Sequence, residues 1–425
     1  MTYDLEAVRA QFPALALSDN GKRRIYFDNP AGTQVPQAVA DAVSDCLLKT
    51  NANAGGYFAS AKAADAVVQS AREAMADFLN APSSDEIVFG QNMTTITLHL
   101  SRSLGRLFKP GDEIILSRMD HDANVWPWVL LARDLQLEIR WLSFNPETFE
   151  FDLHDLDQLF TERTRLVCVG GASNLTGTIN DVRTICAKAR AAGALSFVDG
   201  VQSAPHIATD VKDIGCDFFV CSSYKFFGPH QGILWGRREV LEKLEPYKVR
   251  PAPATIPGCF ETGTQSHEGF AGITATVDYF AAVGASMGEP AHDGISADSS
   301  RREQIHAAMK LLFAYEEQLA RHLIAGLMSI DGVTVQGITA PDAMNRRVPT
   351  VSFTHADAKP AAVAEALAGE NIFVWSGHNY AVEAVRSLGI LDSGGVVRIG
   401  PVHYNSIAEI DELLAVLPGI LGTGA

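Results

Sequence analysis

The stretch FFVCSSYKFFGPHQGILWG, residues 218–236, decides how this chain folds. Its two ends, FFVCS and GILWG, are short and almost wholly apolar, as strands buried on both faces must be. Directly off the first of them stand Ser222, Ser223, Tyr224 and Lys225. Working outward, runs of the same kind recur as EIVF (86–89), EIILS (113–117), LEIRWL (137–142), RLVCVG (165–170) and ALSFVD (194–199). Helical patterns lie between several of them, at 65–79, 124–134 and 182–192. The alternation predicts an α/β fold whose mostly parallel sheet is covered on both faces, with ligands at the carboxyl ends of its strands.

Further along, VRPAPATIPGCFETGTQSHEG (249–269) is rich in Pro, Gly and Thr and reads as a functional loop, because helical pattern resumes on both sides. A long helix over 301–328 leads into strands at 332–336, 348–353, 372–375 and 396–400, with helices at 360–370 and 407–421. This second alternation predicts a smaller α+β unit. The expected division is an N-terminal segment, 1–24, packing on the small domain, a large domain over 25–295 and a small domain over 296–425, with the boundary near 290–300.

Composition narrows the function. The 425 residues are 47% hydrophobic and 20% charged, and 34 basic against 50 acidic side chains leave a net charge of −16. That balance lacks the basic footprint a nucleic-acid partner needs. Six cysteines (Cys46, Cys168, Cys186, Cys216, Cys221, Cys259) have no CxxC spacing and sit mostly in apolar runs, so small buried hydrophobes are expected rather than disulfides or a metal site. The start, MTYDLEAVRAQFP, has no signal-peptide pattern, and no apolar run reads as a membrane span. A cytoplasmic, membrane-free protein is expected. There is no GxGxxG after a strand, no GxxxxGK[ST] and no HExxH, so something other than a nucleotide or a zinc ion fills the crevice.

Polar residues at the strand ends suggest what. Burial lowers a lysine pKa, and a neutral amine is what Schiff-base chemistry requires, so Lys225 is a candidate nucleophile; a lysine snorkelling to water fits the same spacing. Asp199 ends an apolar strand in SFVDGVQSAPH, where a carboxylate can hold a pyridine nitrogen protonated or simply serve a turn. Gln202 and Asn174, the latter in GGASNLTGT, can reach a ring oxygen or stabilise loops. Thr94 and Thr95 in QNMTTITLHL open a helix whose free N–H groups favour an anion, or provide its cap. His121 in SRMDHDANVW can lie flat on an aromatic cofactor or be a loop histidine.

In their order along the chain these residues resemble the class V aminotransferase family of pyridoxal 5'-phosphate enzymes, and within it the cysteine desulfurase-like group. The resemblance runs from YFDNPAGTQVP (26–36) to VRIGPVHYNS (397–406). It implies fold-type I, the aspartate aminotransferase-like architecture, and a homodimer with shared active sites. Lys225 would carry the cofactor as a Schiff base and shuttle the α-proton. Asp199 would pair with the ring nitrogen, His121 stack on the ring, and Gln202 reach the phenolic oxygen. Asn174 would lie near the ring and the substrate carboxylate. Thr95, with Thr94 beside it, and Ser222 match phosphate-binding positions, and Thr264 a threonine that reaches the neighbouring subunit's phosphate. Arg398 matches the arginine that clamps a substrate carboxylate with its planar fork.

Two departures stand out. Tyr224 replaces the histidine usual before the lysine, changing a phosphate contact. In WSGHNYA (375–381), Trp375 replaces an arginine and Tyr380 stands where desulfurases carry the nucleophilic cysteine; no cysteine follows Cys259. His378 and Tyr380 are then expected to line the substrate pocket. The expected activity is a desulfurase-like lyase, cleaving a carbon–sulfur or other β-bond of a small amino acid without a protein persulfide. An aminotransferase, an epimerase and, more distantly, a non-catalytic cofactor-binding protein are the alternatives. Neither the substrate nor a sulfur-acceptor partner is named by these motifs.

Overall fold

The computed structural model describes residues 3–287 and 295–422. Seven apolar runs form the large sheet: β1 (Ile87–Gly90), β2 (Glu113–Ser117), β3 (Glu138–Leu142), β4 (Thr164–Gly170), β5 (Leu195–Asp199), β6 (Phe218–Ser222) and β7 (Gly232–Gly236), in the spatial order β1-β7-β6-β5-β4-β2-β3. The ladders joining β2 to β6 are parallel, and β7 alone runs antiparallel to both its neighbours. Its direction follows from chain length, since residues 223–231 are too few for the crossover a parallel return needs. Every residue of β2, β5 from Ser196 onward, β6 and β7 is buried, as a sheet covered on both faces requires.

A second sheet is antiparallel, with β8 (Val333–Gln336), β9 (Val351–His355), β10 (Trp375–Gly377) and β11 (Val396–Ile399) in the order β8-β9-β11-β10. It is flanked by helices Arg301–Met328 and Ile407–Leu421, each opened by a reciprocal capping box, Ser300 with Glu303 and Ser406 with Glu409. The run expected as one strand at 372–375 divides instead. Ile372–Phe373 pairs in parallel with Ile25–Tyr26, and the chain then turns to supply β10 to the small sheet. Period-2 alternation reports a strand but not its partner, so the break was invisible in sequence.

The segment before Ile25 packs at the junction of the two sheets. Arg9 Nη1 donates to Tyr404 O at 2.7 Å, Arg23 pairs with Glu409 at 3.2 Å, and buried Phe12 meets Phe227, Tyr279 and Tyr404. The boundary expected near 290–300 falls partly on residues 288–294, outside the described residues. The expectation about membrane spans needs one correction. Helix His267–Met287 is long and apolar enough to cross a membrane, and 61% of its most apolar window is buried inside the fold. It packs against helices Gln37–Lys49, Ala59–Leu79 and Arg301–Met328, which accounts for its apolar faces.

Candidate active site

The carboxyl ends of β1, β2, β4, β5 and β6 meet the start of β7 and the loop after β10 around a cavity of about 630 Å3. This is where a parallel sheet is expected to hold a ligand. Lys225 closes a single turn of 3-10 helix straight after β6, and its Nζ donates to Pro30 O at 2.6 Å and Ala31 O at 3.0 Å. Burial lowers its pKa to about 7, helped by Arg398 and opposed by Asp199. A substantial fraction of neutral amine therefore exists at neutral pH.

Asp199 is buried, and its Oδ1 accepts from Val201 N at 2.9 Å. Burial raises its pKa to about 6, against the Val201 hydrogen bond and Lys225. His121 accepts Ala123 N–H on Nδ1 at 3.0 Å, and burial, with Lys225 and Arg398 nearby, holds its pKa down to about 3. Its imidazole is neutral, and the Tyr380 ring lies parallel to it, 14° from coplanar with centroids 5.2 Å apart. Gln202 Nε2 donates to Thr350 Oγ1 at 2.8 Å.

Arg398 is only 4% exposed, in the middle of β11. One nitrogen, Nη1, donates to Asn174 O at 2.9 Å, while Nε is buried with no partner. Burial lowers the guanidinium pKa to about 10, with Asp28 opposing. Asn174 Nδ2 holds Asn379 O at 2.7 Å and its Oδ1 is likewise buried and unpaired. The loop carrying His378 and Tyr380 is tied down further by Asp122 N–H to Tyr380 O at 2.7 Å and Tyr380 N–H to His378 Nδ1 at 3.0 Å. Asn379 and Tyr380 both sit at positive φ, 48° and 60°, conformations that non-glycine residues adopt only where surroundings impose them.

Lys225, Asp199, His121, Gln202, Asn174, Ser222, Tyr224, Thr94, Arg398, His378 and Tyr380 all line this one cavity. Thr95 and Thr264 do not. They face a second cavity of about 410 Å3, which shares only Gln91 with the first. The reason for Thr95 is the cap: Asn92, not a threonine, is the N-cap of helix Met93–Gly105, and its Oδ1 accepts from Thr95 N at 2.9 Å and Thr95 Oγ1 at 3.0 Å. Thr94 then faces the cavity, and Met93 N–H is taken by Ser222 Oγ at 3.0 Å.

Among the lining residues that sequence did not single out are Asp120, Asn92 and His230. Asp120 accepts from Gly170 N at 2.9 Å and Asn124 Nδ2 at 2.8 Å, and burial, with Asp199 nearby, raises its pKa to about 7. Its neighbour His121 was the available signal. His230 is brought back by the short antiparallel return into β7, which the nine-residue spacing implied.

Contacts within the wall sort the cavity into three groups: helix terminus, hydroxyls and imidazole around Thr94, Ser222, Tyr224 and His230; the acids Asp199 and Asp120; and Arg398 with Asn174. Such a set fits a ligand with an anionic end, a basic ring nitrogen and an aldehyde within reach of Lys225, plus a carboxylate-bearing substrate. The unpaired, buried Arg398 Nε and Asn174 Oδ1 are groups that a bound molecule would satisfy.

Residues 25–298 and 303–413 match the family model for Aminotransferase class-V. The chain is 32% identical over 436 aligned positions to a cysteine desulfurase of Pectobacterium carotovorum, spanning 99% of this chain and 98% of that one. It is 33% identical to the aminotransferase-like protein FGM3 of Gibberella zeae, over 99% of each. The apo cysteine desulfurase of Thermococcus onnurineus superposes with a TM-score of 0.85 at 28% identity, covering 98% of both chains.

Proposed function

The chain belongs to the class-V aminotransferase family and is a pyridoxal 5'-phosphate-dependent enzyme of its cysteine desulfurase-like group; from that premise we propose that it is an amino-acid lyase, breaking a carbon–sulfur or other β-bond with no protein thiol as sulfur acceptor. The observation that carries the proposal is the composition of the cavity wall. No cysteine lines it, Tyr380 occupies the loop where a thiol would be needed, and all six cysteines are buried. Burial also pushes the thiols of Cys168, Cys186, Cys216, Cys221 and Cys259 up, away from the thiolate.

The cofactor supplies an electron sink for the bond broken at the substrate α-carbon. Lys225 Nζ is its attachment point and the base that takes the α-proton, a role suited to an amine with a pKa of about 7. Asp199 would hold the ring nitrogen protonated, and His121, whose pKa burial holds down to about 3, would cover the ring without adding charge. Gln202 serves the ring oxygen, while Thr94, Ser222 and Tyr224 hold the phosphate. Arg398 and Asn174 grip the substrate carboxylate. His378 and Tyr380 close the mouth, where Trp375 is about half exposed. Thr264, outside this cavity, is assigned to the phosphate of a second subunit in a homodimer, and Thr95 supports the helix start. A large cofactor-bearing domain over 25–295 and a small domain over 296–425 that brings Arg398 complete the scheme.

A second reading, an aminotransferase, is favoured by the likeness to the aminotransferase-like protein of Gibberella zeae. One panel separates them. A lyase given L-cysteine releases sulfide, ammonia and pyruvate in equal amounts with no co-substrate. An aminotransferase needs an added keto acid for continued turnover and returns it as an amino acid. Alkylation and mass spectrometry after turnover complete the test: a turnover-dependent persulfide on any of the six cysteines, with activity lost when that cysteine becomes Ser, refutes the thiol-free scheme.

A further inference from the structure

We propose that His230 is a cofactor-phosphate residue, its imidazole N–H donating to the phosphate from a position fixed by stacking on Tyr224. The proposal rests on the reading that pyridoxal 5'-phosphate occupies the Lys225 cavity. Because β7 runs antiparallel, it is the start of β7 rather than its end that lies at the ligand edge of the sheet, so residues just before Gly232 face the cavity. The return is closed by Ser223 N–H to Gln231 O at 2.9 Å, Ser223 Oγ to Pro229 O at 2.5 Å and Gly228 N–H to Ser223 O at 2.9 Å. It lays the His230 ring on Tyr224 with centroids 4.9 Å apart and planes 16° from parallel.

Stacking on Tyr224 covers one face of the exposed imidazole and leaves its edge nitrogens to bond. Three histidines line the cavity, and two already spend one nitrogen on a backbone N–H: His121 Nδ1 on Ala123 and His378 Nδ1 on Tyr380. Neither nitrogen of His230 is bonded to any of the described residues. Two residues further on, Gly232 pairs with Ser222 and packs against the Asn92 backbone, which brings this return to the start of helix Met93–Gly105, where the dipole favours an anion. The permanent or titratable cations elsewhere on the wall have other work: Lys225 carries the aldehyde carbon and Arg398 faces the substrate carboxylate. Asp199 and Asp120 belong to the ring-nitrogen end: Asp199 closes β5 and Asp120 follows β2, the two strands that flank β4, and Gly170 of β4 joins them, its N–H binding Asp120 and its ladder partner being Asp199. A phosphate at the Thr94 end therefore draws on hydroxyls, the helix terminus and His230.

The test uses the full chain stripped of cofactor, titrated separately with pyridoxal 5'-phosphate and with pyridoxal, and followed by the absorbance of the bound chromophore. His230→Phe keeps the stack and removes both ring nitrogens. It should weaken pyridoxal phosphate binding by about ten- to a hundredfold, the range of a charge-assisted hydrogen bond, and leave pyridoxal binding unchanged. His230→Gln, which retains an N–H donor, should recover part of the loss. Equal weakening of both ligands, or no weakening of the phosphorylated one, overturns the role of His230. Wild-type protein that binds pyridoxal as tightly as its phosphate fails differently, because it removes the phosphate from this cavity altogether.

Discussion

Replacing Arg398 by Lys tests the substrate end of the site most directly. The guanidinium spends Nη1 on Asn174 O and leaves a buried Nε unpaired, so one edge of the fork remains for a ligand. Lysine keeps the positive charge, and with it the repulsion that adds to burial in lowering the Lys225 pKa, but cannot bond Asn174 O and a carboxylate in the same planar geometry. The loss is one charge-assisted hydrogen bond, roughly 1.5–3 kcal/mol, or about ten- to a hundred-and-fiftyfold in kcat/KM. The assay compares an amino-acid substrate with the amine that lacks its carboxylate, in wild type and Arg398→Lys. The amino acid should lose that factor, the amine should not, and the cofactor absorbance should stay as it was. Equal losses on both substrates, or none on the amino acid, would show that Arg398 does not read the carboxylate.

Three further outcomes are expected. Lys225 has a pKa of about 7 when folded against 10.5 in the unfolded chain, so between those values the unfolded state binds more protons and cofactor-free protein gains stability as pH rises. Lys225→Met should flatten that rise in melting temperature between pH 7 and 10; parallel slopes for the two proteins would contradict the depressed pKa. Asp120 has its pKa raised from 3.8 to about 7, so its linkage runs the other way: stability present at low pH is lost as pH rises through 7, and Asp120→Asn should remove that loss in denaturant titrations at pH 4 through 8. Asn92→Ala removes the acceptor for Thr95 N and Oγ1, and should cost about 0.5–2 kcal/mol of stability by chemical denaturation, with cofactor affinity falling as well.

Much of the fold was legible because a covered parallel sheet writes itself as apolar runs, and FFVCS, EIILS and GILWG have no other good use. Helix 301–328 was equally plain, and the structure adds the Ser300–Glu303 box that opens it. What escaped was partnership. Nothing in IFVW says that Ile372 pairs with Ile25 while Trp375 pairs with Arg398, some twenty residues further on. The site divides the same way. Lys225, Asp199 and Arg398 announced themselves as charges against apolar strands. Asp120, Asn92 and His230 are single polar residues in polar turns, where sequence offers no contrast, and only the packing shows which way they face. Thr95 lies outside the main cavity because Asn-Met-Thr-Thr offers three capping residues and the backbone chose the asparagine.

The strip from Ile25 to Thr33 joins residues that synthesis separates by most of the chain. Its backbone pairs with Ile372–Phe373, Asn29 Nδ2 donates to Gly400 O across 371 positions, and Pro30 and Ala31 supply the carbonyls that seat Lys225 across about 195. Contacts of such sequence separation form late and slow folding, since the loop must close before they give anything back. A ribosome releasing this chain has the lysine in hand well before the strand that carries Arg398. The contacts that seat Lys225 and set Arg398 beside it are thus expected late in folding, and acquisition of the cofactor is expected to report that the chain has closed on itself from end to end.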